Sequence, residues 1–192
     1  MSEFKEVRWH GRAQQGVVTA AKVLAETAMV DGRHVQAFPE FGPERMGAPV
    51  KAYNRISKDP IRIHCQVTEP GFVLIADPTL IEIVPVTEGT PDDAIFIVNT
   101  EKSPAEVRKD LKLADGIGHV FTLDAVHISM ETIGRVMPNT PMLGAFAKAT
   151  GLVELDVLMD GFKKNYSKKY SPKIIEGNQL AMKRGFEEVK GE

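Results

Sequence analysis

Three short apolar runs constrain this chain more than any other feature. They are Phe72-Val-Leu-Ile-Ala76, Ala94-Ile-Phe-Ile-Val98 and Val120-Phe-Thr-Leu123. Runs of four or five residues without polar alternation suit strands that are buried on both faces. Each run is followed at once by a polar residue: Asp77, Asn99 and Asp124. Helical segments separate the runs, from Thr79 to about Val84 and from Pro104 to Leu113, the second with Ser103 as its cap. The order β–α–β–α–β predicts an α/β fold with a mainly parallel sheet and helices on both faces. Open sheets of this kind bind ligands beyond the carboxyl ends of their strands. Asp77, Asn99 and Asp124 are therefore candidates for ligand contact, and equally for helix caps.

The chain opens on a second informative unit. Glu6 to His10 reads as a strand, Gly11 to Gly16 as a loop, and Val17 to about Val30 as a helix stopped at Asp31-Gly32. A glycine-containing turn that leads into a helix presents free N–H groups to an anion. The loop lacks the third glycine of a dinucleotide fingerprint, and no Gly-Lys-Ser/Thr follows it. Anion binding and a tight structural turn both remain open for it. Residues 34–57 read as a β-hairpin-like insertion, broken at Phe41-Gly-Pro-Glu-Arg-Met-Gly-Ala-Pro49 by two glycines and two prolines. Ile61 to Val67 reads as a further short strand. Beyond Ser129 the pattern is helical, with a break at Met137-Pro-Asn-Thr-Pro-Met142. The last helix, Ile174 to Val189, has a weak apolar stripe of Ile175, Leu180, Met182 and Phe186.

At 192 residues the chain fits one domain. Its single cysteine, Cys65, excludes an intramolecular disulfide and a cysteine-ligated cluster held by this chain alone. Cys65 is expected to pack inside the strand at 61–67. The five histidines share no helical ligand spacing, so no metal site is expected; His10 matters for its place beside the loop. No membrane span or signal-peptide core is visible, and a cytoplasmic location is expected. Charge is asymmetric: residues 1–162 carry 16 basic and 22 acidic side chains, net −6, and residues 163–192 carry 8 and 4, net +4. We therefore expect a domain at 1–162 and a basic C-terminal helical arm at 163–192 that docks on another subunit. The basic segment lacks the motifs of a nucleic-acid binder.

Three blocks carry a family resemblance. Trp9-His-Gly-Arg-Ala-Gln-Gln-Gly-Val-Val-Thr-Ala-Ala-Lys-Val-Leu-Ala-Glu26, Phe41-Gly-Pro-Glu-Arg-Met-Gly-Ala-Pro-Val-Lys-Ala-Tyr-Asn-Arg55 and Pro138-Asn-Thr-Pro-Met-Leu-Gly-Ala-Phe146 occur in this order. Together they resemble the gamma subunits of 2-oxoacid:ferredoxin oxidoreductases, and the second block is most similar to the pyruvate-using branch. One departure is clear: the family's paired glycines before Gln15 are here Ala13 and Gln14.

The resemblance implies a subunit, inactive alone, of a complex that converts pyruvate and coenzyme A to acetyl-CoA and CO2 and passes electrons to ferredoxin. It implies thiamine diphosphate, magnesium and iron–sulfur clusters in partner subunits, which would be alpha, beta and a ferredoxin-like delta subunit. It makes Gly11, Arg12, Gln15 and Gly16 candidates for coenzyme A contact. Glu44 and Arg45 become candidates beside the shared active site, with an interface ion pair as their alternative role. A branched-chain oxoacid enzyme subunit and a free-standing phosphate- or nucleotide-binding module are the rival readings.

Overall fold

The computed structural model describes residues 4–41 and 47–192. Its centre is a sheet of seven strands. They are β1 (Lys5–Arg12), β2 (His34–Phe41), β3 (Pro49–Ser57), β4 (Phe72–Ile75), β5 (Ile95–Asn99), β6 (His119–Leu123) and β7 (Lys190–Gly191). Their order across the sheet is β2-β3-β1-β4-β5-β6-β7. The three apolar runs form β4, β5 and β6, which lie parallel to β1 and to one another in register Trp9, Leu74, Ile97, Phe121. β2 and β3 form the antiparallel hairpin beside β1, and β7 runs antiparallel to β6.

Two layers cover the sheet. One holds α1 (Val17–Val30), α3 (Ala125–Ile133), α4 (Asn139–Thr150), α5 (Leu155–Tyr166) and α6 (Pro172–Glu188), packed over Trp9, Leu74 and Ile97. The other holds α2 (Pro104–Asp110) and a 3-10 turn at Pro78–Glu82, with a smaller core of Val73, Ile75, Phe96, Val98, Val107 and Val120. Alternate residues of the central strands enter the two cores, which is why their sequences run apolar without a break. A capping box starts α2: Ser103 accepts from the N–H of Glu106, and the Glu106 carboxylate accepts from the N–H of Ser103.

Three expectations change. The segment 58–71 contains no strand, because β3 already pairs on both sides, with β1 and β2. Only Val67 and Pro70 of that stretch are buried, and Cys65 is exposed. The buried Arg55 guanidinium pins this segment by donating to the carbonyls of Cys65 and Gln66. Secondly, the helix expected from Thr79 is the short 3-10 turn, capped by Asp77.

Thirdly, residue 162 divides nothing, since α6 places Ile175, Ala181 and Met182 in the larger core. Its contact face is small rather than apolar. A Cβ on Gly144 of α4 would lie 1.8 Å from the Met182 carbonyl oxygen, and one on Gly185 of α6 would lie 2.0 Å from that of Pro141. The helices meet backbone to backbone, so the stripe looks weak in sequence, and Leu180, counted in that stripe, is exposed. The chain end is also held: Arg108 donates to the Glu192 carboxylate (2.6 Å) and to the carbonyls of Ala114, Ile117 and Gly118.

Candidate functional site

The connection after β1 goes to α1 on one face of the sheet, while the 3-10 turn after β4 lies on the other. Where connections diverge like this, a crevice opens beyond the carboxyl ends of the two strands. The loop at residues 11–16 and the Asp77 turn lie at these strand ends, hydrogen-bonded to each other.

Arg12 and Asp77 lock the crevice together. Arg12 Nε lies 2.9 Å from Asp77 Oδ2, Nη2 donates to Thr79 Oγ1 (2.9 Å), and Nη1 donates to the Gly47 carbonyl (2.7 Å). Gln15 closes the ring: its Nε2 donates to Asp77 Oδ2 (3.1 Å), and its Oε1 accepts from the N–H of Arg12 (2.8 Å). Thr79 donates to Asp77 Oδ1 from both its hydroxyl (2.6 Å) and its backbone (3.1 Å). Burial pushes the Asp77 carboxyl up. The hydrogen bonds from Thr79 and Gln15 and the Arg12 charge outweigh it and hold Asp77 below the usual carboxylate range. Every guanidinium nitrogen of Arg12 is thus committed within the chain. Its reach to Gly47 joins the loop to a residue of the second motif.

The two glycines have steric reasons. A Cβ on Gly11 would lie 2.6 Å from Val17 Cγ1, so the loop turns directly onto its own helix. Gly16 has φ +75° and is the N-cap of α1, without any side-chain cap. Gln14 also takes a left-handed φ, +76°. The loop keeps that conformation although a non-glycine residue disfavours it by roughly 1–2 kcal/mol. Glu44 and Arg45 lie outside the described residues.

The other strand-end residues serve the scaffold. Asp124 Oδ1 caps α3 by accepting from the N–H of His127 (2.9 Å). Asn99 accepts from the N–H of Ala125 (2.9 Å) and donates to the Ala76 carbonyl (2.8 Å), stapling β5 to its neighbours. His10 is 2% exposed and its Nε2 has no partner. Burial, helped by the charges of Arg8 and Lys51, pushes its pKa down to about 3, so it is neutral at pH 7. Among the described residues no group of three His, Cys, Asp or Glu side chains is placed to hold a metal ion. No helix among them is long and apolar enough to cross a membrane.

Sequence reasoning missed Thr79 and Asn139. Thr79 had a local signal, since Asp-Pro-Thr after a strand favours an Asx turn. Asn139, the first residue of α4, lies against Gly16, and nothing nearby in sequence signals that contact.

The model of a family described as pyruvate ferredoxin/flavodoxin oxidoreductase matches residues 6–188. Pyruvate synthase subunit PorC of Thermotoga maritima is 43% identical, over 98% of this chain and 96% of that protein. The pyruvate/ketoisovalerate oxidoreductases common subunit gamma of Pyrococcus abyssi is 47% identical, over 96% and 97%. The crystal structure of pyruvate oxidoreductase subunit PORC from Thermotoga maritima matches with a TM-score of 0.86 and 40% identity, covering 98% of both chains.

Proposed function

The chain belongs to the pyruvate ferredoxin/flavodoxin oxidoreductase family, and from that premise we propose that it is the gamma-type subunit of a pyruvate:ferredoxin oxidoreductase complex. The complex would oxidatively decarboxylate pyruvate with coenzyme A in the cytoplasm and deliver electrons to ferredoxin. Thiamine diphosphate, magnesium and the clusters would belong to alpha, beta and ferredoxin-like delta subunits. This chain's lone cysteine is exposed and suits no cluster. Its own part is to form a wall of the coenzyme A path with Gly11, Arg12, Gln15 and Gly16, and with Glu44 and Arg45 from the neighbouring segment.

One observation carries this reading: α1 begins at the crevice without any side-chain cap. Its free N–H groups and positive dipole end are available to an anionic group. The locked ring fits this use. Asp77 neutralises Arg12 and fixes the loop, so Arg12 positions the backbone rather than reaching for the ligand. Coenzyme A supplies the thiol acceptor when bound; this chain binds, orients and shields it.

A second docking element is the α5–α6 corner. Residues 163–173 contain five lysines and no acid, which leaves −7 on the rest of a chain of net charge −2. That corner would seat the chain on an acidic neighbouring subunit.

Reconstitution tests the reading. The chain alone should not reduce a viologen dye with pyruvate and coenzyme A, and the complete complex should. Dye reduction by the chain alone, or full activity of a complex lacking it, would overturn the reading. The Pyrococcus relative is named as common to pyruvate and ketoisovalerate enzymes, which favours one second reading: a subunit shared with a branched-chain oxoacid complex. Ketoisovalerate in the same assay distinguishes the two.

A further inference from the structure

We infer that the outer edge of β2 pairs with the same edge of a second copy of this chain, in an antiparallel, two-fold ladder centred on Ala37. β2 is the last strand on its side of the sheet. An edge strand offers unpaired N–H and C=O groups to another strand. The register tells which groups these are. The His10 carbonyl accepts from the N–H of Ala76 (2.8 Å), so the backbone of His10 faces β4 and that of Trp9 faces β3. Trp9 lies opposite Ala52, and Ala52 lies opposite Pro39. The polar groups of Ala52 therefore face β1, and those of Pro39, Ala37 and Val35 point out of the sheet. Among the described residues none of these outward groups has a partner. Proline fits there, because a ring nitrogen turned outward takes no hydrogen bond from β3.

Apolar surface borders the same edge. Among the described residues eight large apolar side chains are exposed, and Met29, Val30 and Ile63 are three of them. Met29 and Val30 end α1, and the chain turns from there directly into β2. Ile63 lies over the opposite face, where its carbonyl accepts from Gln36 Nε2 of β2 (2.8 Å). Exposed apolar groups gathered on both faces of one open edge mark an interaction surface. A sheet that continues across the edge brings a second set of covering layers beside them.

The occupant follows from the sequence of β2, His34-Val-Gln-Ala-Phe-Pro-Glu-Phe41, which is complementary to itself. Place Ala37 opposite Ala37 of the second copy. The two alanines then exchange hydrogen bonds across the axis, and the N–H of Val35 reaches the Pro39 carbonyl on each side. Proline has only to accept. The same register sets the His34 imidazole opposite the Glu40 carboxylate at both ends of the ladder, a cross-strand pair that favours this alignment. Outward groups lie on alternate residues, so a slip must move two positions. A slip one way sets His34 opposite Phe38 and Glu40 opposite Gly32, and the charge match is lost. Pairing the same surface on both copies closes a two-fold dimer and leaves no free edge at β2.

Sedimentation of the full chain over a range of concentrations tests the pairing, in a Cys65→Ser background that removes the exposed thiol. The mass should rise from that of the 21.1 kDa chain toward twice that value. Ala37→Pro removes the central donors, which serve no bond within the chain. Its circular dichroism should be unchanged and its dimer dissociation constant should rise roughly tenfold or more. His34→Glu sets like charges at both ends and should weaken the dimer about three- to tenfold, while His34→Lys should not weaken it. This exposed position is the one read if the proline chain does not fold. Cross-linking reads the register. Ala37→Cys should give a disulfide-linked dimer on oxidation, because Cα atoms opposite in a hydrogen-bonded pair lie about 5.5 Å apart. Leu180→Cys, exposed on α6, should not. A chain that stays monomeric at every concentration overturns the inference, as do equal dissociation constants for wild type, Ala37→Pro and His34→Glu. A monomeric wild type that loses the remaining subunits on Ala37→Pro assigns the edge to a strand of another subunit and overturns the second copy.

Discussion

At the scale of single residues, the buried polar groups of β1 show how little of a site is written locally. Gly11, Arg12, Gln15 and Gly16 are adjacent in sequence and were legible as a loop. Asp77, which holds Arg12, lies 65 positions away, and Asn139 lies further still. Such partners emerge only when the sheet brings strand ends together. His10 gives a measurable consequence. Its folded pKa is pushed below the unfolded value of about 6.5, to about 3, chiefly by burial. A group with a depressed folded pKa contributes stability fully above its unfolded pKa, and this is lost as pH falls toward the folded value. Wild-type stability should therefore decline below pH 6.5 by up to about 1.4 kcal/mol per pH unit from this residue. Urea unfolding of wild type and His10→Gln from pH 7.5 to 4 isolates the contribution, because the carboxylates titrate alike in both chains. Parallel curves would mean that His10 is not held neutral.

At the scale of elements, strands were easier to read than helix contacts. An unbroken apolar run has one simple explanation, burial on both faces, and β4, β5 and β6 obey it. The strand expected at 61–67 failed because apolar content cannot show whether a sheet edge is free. α6 was misjudged for a different reason. Hydrophobic periodicity counts large side chains, whereas α4 and α6 approach most closely where Gly144 and Gly185 meet the other helix's backbone. Glycine substitutions separate these cases. Gly185→Ala forces a Cβ to within 2.0 Å of the Pro141 carbonyl oxygen. It should cost about 1–3 kcal/mol as overpacking and lower Tm by several degrees. Gly161, inside α5, meets only Thr27 Oγ1 at 3.6 Å. Gly161→Ala should stabilise by about 0.5–1 kcal/mol through helix propensity. Calorimetry of the two variants checks both signs, and equal effects would refute the packing account.

At the scale of the whole molecule, the α/β class was legible from strand order and the family from three ordered motifs. The boundary at 162 came from charge alone, and charge marks a surface rather than a fold boundary. The last 30 residues are part of the core, yet their positive character is real and confined to one corner. On α6 the charges are paired, Lys183 with Glu187 and Arg184 with Glu188 and Glu131. At the corner, Lys163, Lys164, Lys168 and Lys173 have no ion-pair partner among the described residues, and Lys169 sits over the Tyr170 ring. The rings of Phe162, Tyr166 and Tyr170 stack in series at that corner. Unpaired surface charge favours association through long-range attraction, which salt screens over about 10 Å at 0.1 M. Lys168→Glu, Lys169→Glu and Lys173→Glu together reverse the corner. The first two lie in the turn and the third in the first turn of α6, where an acid is favourable, so Tm of the isolated chain should move by less than about 2 °C. Affinity for the remaining subunits, measured by sedimentation at 50 mM salt, should fall more than tenfold, and the difference from wild type should shrink at 500 mM. Unchanged assembly at low salt would remove the corner from the interface and leave its lysines as a solvated face.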